Sequence, residues 1–273
     1  MEIGIRELTK PEEFKECMRI QLAAWGMPPE EIVPHHIMRS VAKFGGLAIG
    51  AFDGEKLVGF AFGLPGSYNE RPVHYSHMVA VLPEYRNRGI GFQLKLRQRE
   101  MAMEQGFDLM IWTFDPLQAL NAWFNLRKLG VICRRYYVNY YGPMEDELNR
   151  GMETDRFLAE WWLTSPRVER RIKGMSGGDA EGCLAMEVEE QEEFRVPVGF
   201  KYNLDCDRVL VEIPANIVSI KRKNLDVAKK WQMALRDVLL AYLNRGYIVS
   251  NVVRREGLYY YLLAKASLEE LLL

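Results

Sequence analysis

The feature that most constrains this chain is a segment in which an apolar strand pattern ends at a proline and a glycine-containing turn follows. It reads Val79-Ala-Val-Leu-Pro-Glu-Tyr-Arg-Asn-Arg-Gly-Ile-Gly91. Downstream apolar residues recur at spacings of four and seven: Ile90, Leu94 and Met101. This period predicts a helix that begins near Gly89, and glycines at a helix start leave backbone amides uncovered for an anion. Arg86 and Arg88 add positive charge, so we expect a pyrophosphate site.

The motif Arg86-x-x-Gly89-x-Gly91 after a V-x-V-x-P strand resembles motif A of the GNAT acetyltransferase superfamily, which binds the pyrophosphate of acetyl-coenzyme A. Other phosphate-binding motifs fit less well, because the chain contains neither G-x-G-x-x-G nor G-x-x-x-x-G-K-[ST]. An isolated R-x-x-G-x-G is a weak signal, so the flanking segments decide how specific the resemblance is.

The flanking segments follow the order of elements that the superfamily uses. Apolar runs at 47–52 and 57–62 flank Asp53-Gly54, a strong hairpin signal. The other predicted elements are a strand at 3–8, helices at 11–25 and 34–44, strands at 74–81 and 108–115, a helix ending at Leu129-Gly130, and a strand at 131–141. The resemblance implies an α/β (α+β) GNAT fold, with a mixed central sheet flanked by helices, and an acyl-CoA-binding domain over residues 1–146.

Residues 147–273 form a predicted second, smaller α+β subdomain, which is either a degenerate GNAT-like half or an accessory region. Its predicted elements are a short helix at 155–163 with two adjacent tryptophans, a mobile loop at 174–182, a solvated acidic stretch at 187–193, strands at 209–213, 248–253 and 258–264, and a helix at 225–243. No second R-x-x-G-x-G occurs there. We therefore expect this half to shape the acceptor site rather than to bind a second coenzyme.

Composition limits the classes of function. The formal net charge of −1 over 273 residues argues against a nucleic-acid-binding protein. The chain lacks an apolar run long enough for a membrane span and lacks the core of a signal peptide, which predicts a soluble cytoplasmic protein without membrane partners. The four cysteines are far apart and histidines number only four, so neither a metal site nor a disulfide framework is expected.

The resemblance implies direct attack of an amine on the thioester, with a base that projects from the strand before the pyrophosphate loop. That strand contains His74 and His77. Strand alternation places His77 on the side of Val79 and Val81, with His74 on the other side, unless a bulge shifts the count. We expect His77 to be the base, against the alternative of a packing residue, and His74 to be the next candidate. A surface capping role is favoured for His35-His36.

The resemblance also assigns the coenzyme contacts. The backbone of Val79 and Ala80 would polarise the thioester carbonyl, and the free edge of this strand through Val81 would pair with the pantetheine arm. The pyrophosphate loop comprises Arg86, Asn87, Arg88, Gly89, Ile90 and Gly91. Asn121 and Asn125 lie at positions i and i+4 and are candidates for the pantetheine amides, with a helix-surface role as the alternative.

One position departs from the family pattern. Many members have a tyrosine four residues before the glycine that ends the second motif helix, where it protonates the departing thiolate, but Leu126 stands there. A thiol with a pKa of about 8.5 can leave without a strong acid, so the difference does not exclude catalysis. Tyr136, Tyr137, Tyr140 and Tyr141 are possible substitutes, although aromatic packing is the expected role for most of them.

The predicted function is acyl-CoA-dependent N-acyl transfer, most simply from acetyl-CoA to the amine of a small molecule or an amino-acid derivative, with no metal. The alternative is an acyl-CoA-binding sensor or interaction module that has lost catalysis. Nucleic-acid binding through the basic runs at 167–173 and 221–223 is the third and weakest hypothesis, because each run is short. The identity of the acceptor and the oligomeric state are left open.

Overall fold

The computed structural model describes residues 3–146, 148–175 and 181–273, which leaves most of the predicted loop at 174–182 outside the described residues. The chain forms two compact units. The first comprises Met1–Trp112 with Glu145–Arg150, and the second comprises Thr113–Met144 with Gly151–Leu273. This division differs from the sequence-based boundary at residue 146, because the strand after Gly130 hydrogen-bonds with strands of the C-terminal half.

The first unit contains the predicted β-α-α-β-β-β-α-β series. Its elements are β1 (Ile3–Glu7), α1 (Pro11–Trp25), α2 (His35–Lys43), β2 (Leu47–Asp53), β3 (Lys56–Tyr68), β4 (Arg71–Val81), α3 (Ile90–Glu104) and β5 (Leu109–Phe114), whose last two residues belong to the second unit. The strand order is β1-β2-β3-β4-β5. Neighbouring strands are antiparallel except for β4 and β5, so the sheet is mixed, as predicted.

The core of the first unit lies between one face of this sheet and helices α1 and α2. It is lined by Leu8, Phe14, Cys17, Ile20, Met38, Ala48, Phe52, Leu57, Phe60, Phe62, Met78 and Ala80. The start of α1 is held by Glu13, whose carboxylate accepts hydrogen bonds from Arg6 at 2.7 Å and from the backbone N–H groups of Thr9 and Lys10. Burial alone would raise the pKa of Glu13, but these donors lower it to about 2.

The second unit contains most of the predicted additional α+β region, together with residues 113–144, which the sequence assigned to the first domain. Its elements are α4 (Ala119–Ala122), a π-helical segment (Trp123–Lys128), β6 (Ile132–Tyr137), β7 (Arg156–Trp162), α5 (Pro166–Ile172), β8 (Cys183–Leu184), β9 (Met186–Gln191), β10 (Phe194–Phe200), β11 (Arg208–Ile213), α6 (Ile217–Lys223), α7 (Leu225–Asn244), β12 (Ile248–Arg255), β13 (Leu258–Ala264) and α8 (Leu268–Leu272). Its sheet has the order β7-β6-β12-β13-β11-β8, and β9 and β10 form a separate hairpin.

The helix predicted at 155–163 is wrong, because this segment is strand β7, which pairs antiparallel with β6. Residues 156–161 are buried at every position, as in a strand that is covered on both faces. Its two charged residues, Arg156 and Glu160, lie four positions apart, a spacing that suits a helix, so the pattern does not distinguish a strand from a helix. Trp161 is fully buried and Trp162 is partly exposed, in keeping with side chains on opposite faces of a strand.

The expectation of no disulfide is also wrong, because Cys183 and Cys206 are bonded, with their Cα atoms 6.4 Å apart. Strand β8 lies beside β11, opposite Val209, and this pairing brings the two cysteines together from positions 23 residues apart. Cys17 and Cys133 are buried free thiols. In the described part of the chain, helices are too short or too polar to cross a membrane.

Candidate functional site

The turn between β4 and α3 has the backbone that the glycine motif predicts. A single 3₁₀ turn, Pro83–Tyr85, follows β4. Asn87 and Gly89 then adopt left-handed conformations, with φ of 63° and 78°. The carbonyl of Gly89 accepts the first hydrogen bonds of α3, from the N–H groups of Phe92 and Gln93. Alternating left-handed and helical residues direct successive N–H groups to one side, which is an arrangement that binds anions.

The N–H groups of this turn are available to a ligand. Among the described residues, the backbone N–H groups of Asn87, Gly89, Ile90 and Gly91 have no hydrogen-bond acceptor. A Cβ atom built at Gly89 or at Gly91 would meet no atom within 4 Å, so the space in front of the turn is open. Four uncovered amides at a helix N-terminus, with the positive end of the helix dipole, provide a site for a phosphate group.

The two arginines of the turn have different roles. Arg86 donates to the carbonyl of Ala24 at 2.8 Å and to that of Val81 at 3.3 Å, so it fastens the turn to the ends of α1 and β4. The guanidinium of Arg88 lies 5.2 Å from the centre of the Tyr85 ring. Both side chains are exposed, and they add positive charge beside the free amides.

The strand before the turn has an open edge. Strand β4 pairs with β5 at His74↔Met110 and Tyr75↔Ile111, and no further pair between these strands is formed by the residues described. On its other side, β4 stays paired with β3 as far as Val81. The two parallel strands therefore separate after Tyr75, which leaves the main chain of 76–81, including Val79 and Ala80, unpaired toward β5.

A β-bulge lies at the point where β4 leaves β5. Leu64 pairs with Tyr75 and Phe62 pairs with Met78, so two β4 residues, Ser76 and His77, lie opposite Gly63. An extra residue of this kind changes which face the following side chains occupy. The sequence predicts His77 on the side of Val79 and Val81 unless a bulge shifts the count. The bulge is present, so that placement does not apply.

His77 lies on the face of the sheet that carries Phe62. Its ring meets the ring of Phe62 edge-on at 6.1 Å and lies 5.8 Å from that of Tyr75. Phe62 shares its core cluster with Met78, so Val79 points to the opposite face. The His77 side chain reaches solvent, yet the crowded surroundings desolvate it and lower its pKa below the ordinary value. The imidazole is therefore neutral at neutral pH and able to accept a proton.

The other histidines do not share these properties. His74 is completely buried beside Phe107, and its Nε2 lies 3.3 Å from Nε2 of Gln98. Burial and the nearby Lys95 lower the pKa of His74 to about 3, so its ring stays neutral in the core. His35 and His36 begin α2, with their ring centres 5.6 Å apart.

A buried lysine next to the bulge was not predicted from the sequence. Lys95 of α3 donates from Nζ to Ser76 Oγ at 3.0 Å and to Gln98 Oε1 at 3.2 Å, and its Nζ lies 3.7 Å from the centre of the Trp112 ring. Burial lowers the pKa of Lys95 well below its ordinary value. This cluster links the helix of the anion site to β4 and β5. A single lysine within a helical pattern gives no signal of burial.

The asparagine pair and the tyrosines lie in the second unit. Asn125 Nδ2 donates to Asn121 Oδ1 at 3.3 Å, which confirms that the two side chains share a face. Leu126 is fully buried. Tyr136 donates to Asp155 at 2.6 Å, and its burial beside this carboxylate raises its pKa far above the ordinary value, so it is a poor proton donor.

Tyr141 differs from the other tyrosines in having an exposed side chain with a polar partner on β5. Strand β6 ends at Tyr137, so the predicted strand at 131–141 is shorter than expected, and Asn139 turns the chain with a φ of 47°. The Tyr141 hydroxyl lies 2.7 Å from Thr113 Oγ1. The rings of Tyr140 and Tyr141 pack edge-on, with their centres 4.7 Å apart.

A family model matches the part of the chain that contains the turn and the open strand edge. The model of the Acetyltransferase (GNAT) family matches residues 6–130. These residues form a GNAT acetyltransferase domain. The GNAT match begins in β1 and ends at Gly130, and it therefore includes the uncovered amides, the bulge and the asparagine pair. In the part of the chain that is described, no group of His, Cys, Asp and Glu side chains could hold a metal ion.

Solved structures of acetyltransferases are similar to part of this chain. The ribosomal-protein-S18-alanine N-acetyltransferase of Escherichia coli is 15% identical, with a TM-score of 0.47 over 59% of this chain and 94% of that one. A GNAT family acetyltransferase from Elizabethkingia anophelis with acetyl-CoA bound is 18% identical, with a TM-score of 0.43 over 59% and 97%. The PaiA N-acetyltransferase of Thermoplasma acidophilum, in complex with coenzyme A, is 16% identical, with a TM-score of 0.40 over 59% and 98%. No curated protein sequence matches the chain.

Proposed function

We propose that this protein transfers an acetyl group from acetyl-CoA to the amine of a small molecule or an amino-acid derivative. The observation that carries the proposal is the set of uncovered amides of Asn87, Gly89, Ile90 and Gly91 at the start of α3. They would donate hydrogen bonds to the pyrophosphate of the coenzyme, with the positive charge of Arg88 beside them. Main-chain donors at a helix N-terminus recognise phosphate without help from particular side chains.

The open edge of β4 supports the next part of the proposal. The pantetheine arm would pair with the main chain up to Val81, and the backbone at Val79 and Ala80 would polarise the thioester carbonyl. Such donors stabilise the negative charge that develops on the carbonyl oxygen during attack. Asn121 and Asn125 are proposed to hydrogen-bond the pantetheine amides. Residues 147–273 are proposed to contribute to recognition of the acceptor.

His77 is proposed as the base. The amine nitrogen attacks the thioester carbon, its proton passes to the neutral imidazole of His77, and the bond between carbon and sulfur breaks to release coenzyme A. An alkyl ammonium has a pKa of about 10.4, so at neutral pH most acceptor molecules must lose a proton before attack. The released thiolate has a conjugate-acid pKa of about 8.5, so it can take up a proton from water.

The test is release of free thiol when the protein is incubated with acetyl-CoA and a panel of small amines. The protein itself should give a low thiol background, because Cys17 and Cys133 are buried and Cys183 is bonded to Cys206. We expect thiol release that depends on both the amine and acetyl-CoA, with the acetylated amine as the second product. Binding of acetyl-CoA without turnover of any amine or peptide would contradict the proposal.

That negative outcome defines the second candidate function, an acyl-CoA-binding sensor. It is favoured by Leu126, which is buried at the position where many family members have a tyrosine, and by Tyr136, whose hydroxyl donates to Asp155. A sensor would bind acetyl-CoA and coenzyme A with saturation in calorimetry. It would release no thiol beyond the rate of spontaneous hydrolysis.

A further inference from the structure

The alternation of side chains along β4 breaks at the bulge. His74 and Ser76 both face α3: Gln98 Nε2 lies 3.3 Å from His74 Nε2, and Gln98 Oε1 accepts a hydrogen bond from Ser76 Oγ at 2.8 Å. Met78, two residues further along, belongs instead to the core that α1 and α2 form with the sheet. In a regular strand, residues two positions apart share a face. The reversal between Ser76 and Met78 therefore occurs at His77.

Lys95 of α3 lies at the point where β4 and β5 separate. Among the described residues, the last pair between these strands is Tyr75↔Ile111. Ser76 and Trp112 are the next residues of the two strands, and Lys95 contacts both. Its Nζ donates to Ser76 Oγ at 3.0 Å and lies 3.7 Å from the centre of the Trp112 ring. The Lys95 side chain therefore links the bulge to α3 and to β5.

The neighbouring strand leaves room for this network. Gly63 of β3 lies opposite Ser76 and His77. A Cβ atom at Gly63 would clash with Nε2 of His74 and would lie 2.9 Å from Nε2 of Gln98. Glycine at this position allows the bulge and the buried polar side chains to occupy the same space.

The burial of Lys95 is unfavourable for folding. Its side chain is almost fully buried, and the loss of hydration lowers its pKa well below the ordinary value. An apolar side chain of similar length would fill the same space without desolvation of an amine. A buried polar residue that reduces stability is expected where it maintains the geometry of a functional site.

We propose that Lys95 and Ser76 are positioning residues, which hold the bulge in the register that presents the His77 ring beside Phe62. This inference rests on the proposed function in one respect, the role of His77 as the base. Lys95 and Ser76 take no part in the chemical step. Their hydrogen bond keeps Ser76 on the side of α3, while Met78 is held in the core of α1 and α2. Without this bond the strand can return to regular alternation, which would carry His77 away from Phe62.

The first part of the experiment is independent of catalysis. The His77 imidazole is titrated by NMR in the full chain with labelled histidine, and the spectrum of His77→Ala identifies its signal. The parent should give a pKa below the ordinary value of about 6.5. Ser76→Ala and Lys95→Met should both raise this pKa, because a ring released from its crowded position is better hydrated. Ser76→Ala keeps the amine of Lys95, so its effect cannot come from loss of that group. Lys15→Met is the matched control, because Lys15 is an exposed lysine of the same unit.

The second part measures kcat, and KM for acetyl-CoA, at pH 7 and pH 10. Ser76→Ala and Lys95→Met should each lower kcat at pH 7 by about 10- to 100-fold, which is part of the roughly 10²- to 10⁴-fold that a positioned base contributes. The loss should be smaller at pH 10, and KM should not change. Ser76→Ala should have no further effect in a His77→Ala background, because the base is already absent. Lys95→Met should lose turnover and gain stability at pH 7, which excludes partial unfolding as the cause.

An unchanged pKa of His77 in both Ser76→Ala and Lys95→Met would overturn the proposal. So would an equal loss of turnover from Ser76→Ala in the parent and in His77→Ala. If Ser76→Ala fails to fold, Lys95→Met makes the same comparison from α3. Failure of the proposed function gives a different result: a parent that releases no thiol from acetyl-CoA with any amine would refute acyl transfer, while the NMR titration would still decide whether Ser76 and Lys95 hold His77 in place.

Discussion

Replacement of Gly91 by alanine tests the coenzyme site without disturbing the protein. Gly91 is the second residue of α3 and has no left-handed φ, so alanine fits its backbone. The added Cβ would meet no protein atom within 4 Å. Alanine is favoured over glycine within a helix by about 0.5–1 kcal/mol, so the melting temperature should stay the same or rise slightly. Any loss of affinity for the coenzyme would then result from contact between the methyl group and the ligand.

The expected loss of affinity follows from the donors that the methyl group would cover. The methyl group would occupy space in front of the free amides and hold the pyrophosphate away from them. Each hydrogen bond lost to a charged oxygen corresponds to about 1.5–3 kcal/mol, or about a 10- to 150-fold increase in Kd. Gly89→Val would have a larger effect, but the φ of 78° at Gly89 would add backbone strain. Gly91→Ala is therefore the cleaner variant.

The measurement is calorimetric titration with coenzyme A, together with thermal unfolding of each variant. Gly4→Ala is the matched control, because a Cβ at Gly4 also meets no atom within 4 Å and Gly4 belongs to β1 rather than to the turn. Coenzyme A should bind Gly4→Ala as it binds the parent. An unchanged Kd for folded Gly91→Ala would refute the placement of the pyrophosphate on these amides.

Three further predictions concern the base, the buried lysine and the disulfide. His77→Ala should lower turnover at neutral pH far more than at pH 9 to 10, where more acceptor is already deprotonated, and overlapping pH profiles for variant and parent would exclude His77 as the base. Because the pKa of Lys95 is depressed in the folded state, the unfolded chain binds the additional proton and stability rises with pH up to the unfolded value of about 10.4. Lys95→Met should therefore increase the free energy of unfolding more at pH 7 than at pH 10 in urea titrations, and an equal change at both pH values would contradict a depressed pKa for Lys95. Reduction of the Cys183–Cys206 disulfide, which joins positions 23 residues apart, should lower the free energy of unfolding by about 3 kcal/mol in the loop-closure model; Cys183→Ser should reproduce this loss and make stability insensitive to reductant.

The first unit was predictable because its elements carry local start and stop signals. Helix α1 spans Pro11–Trp25, the range that the sequence predicts, with a proline at its first residue and Gly26 in a left-handed cap with φ of 62°. The β2–β3 hairpin forms around Asp53-Gly54 for the same reason. The turn between β4 and α3 was also predictable, because glycine readily adopts the left-handed backbone and leaves its amide uncovered.

The features that escaped prediction depend on contacts between distant residues. Strand β7 is defined by its pairing with β6, and its sequence does not alternate between apolar and polar residues. The bulge at Ser76–His77 appears only in the register between β3 and β4. The burial of Lys95 on α3 depends on Ser76 of β4 and Trp112 of β5. Local sequence does not record which strands become neighbours, so the face occupied by His77 could not be derived.

The separation of β4 from β5 has a consequence for how this protein can vary among its relatives. If the coenzyme is held by the main chain of 76–81, the side chains there are free to change as long as the strand and its bulge persist. A saturation library at Val79 and Val81 should therefore tolerate most β-branched and aromatic residues and reject proline, which removes the N–H donor. Selection for coenzyme binding would then conserve only a few glycines. The side chains on the two faces of the same strand would be free to change with the amine that is acetylated.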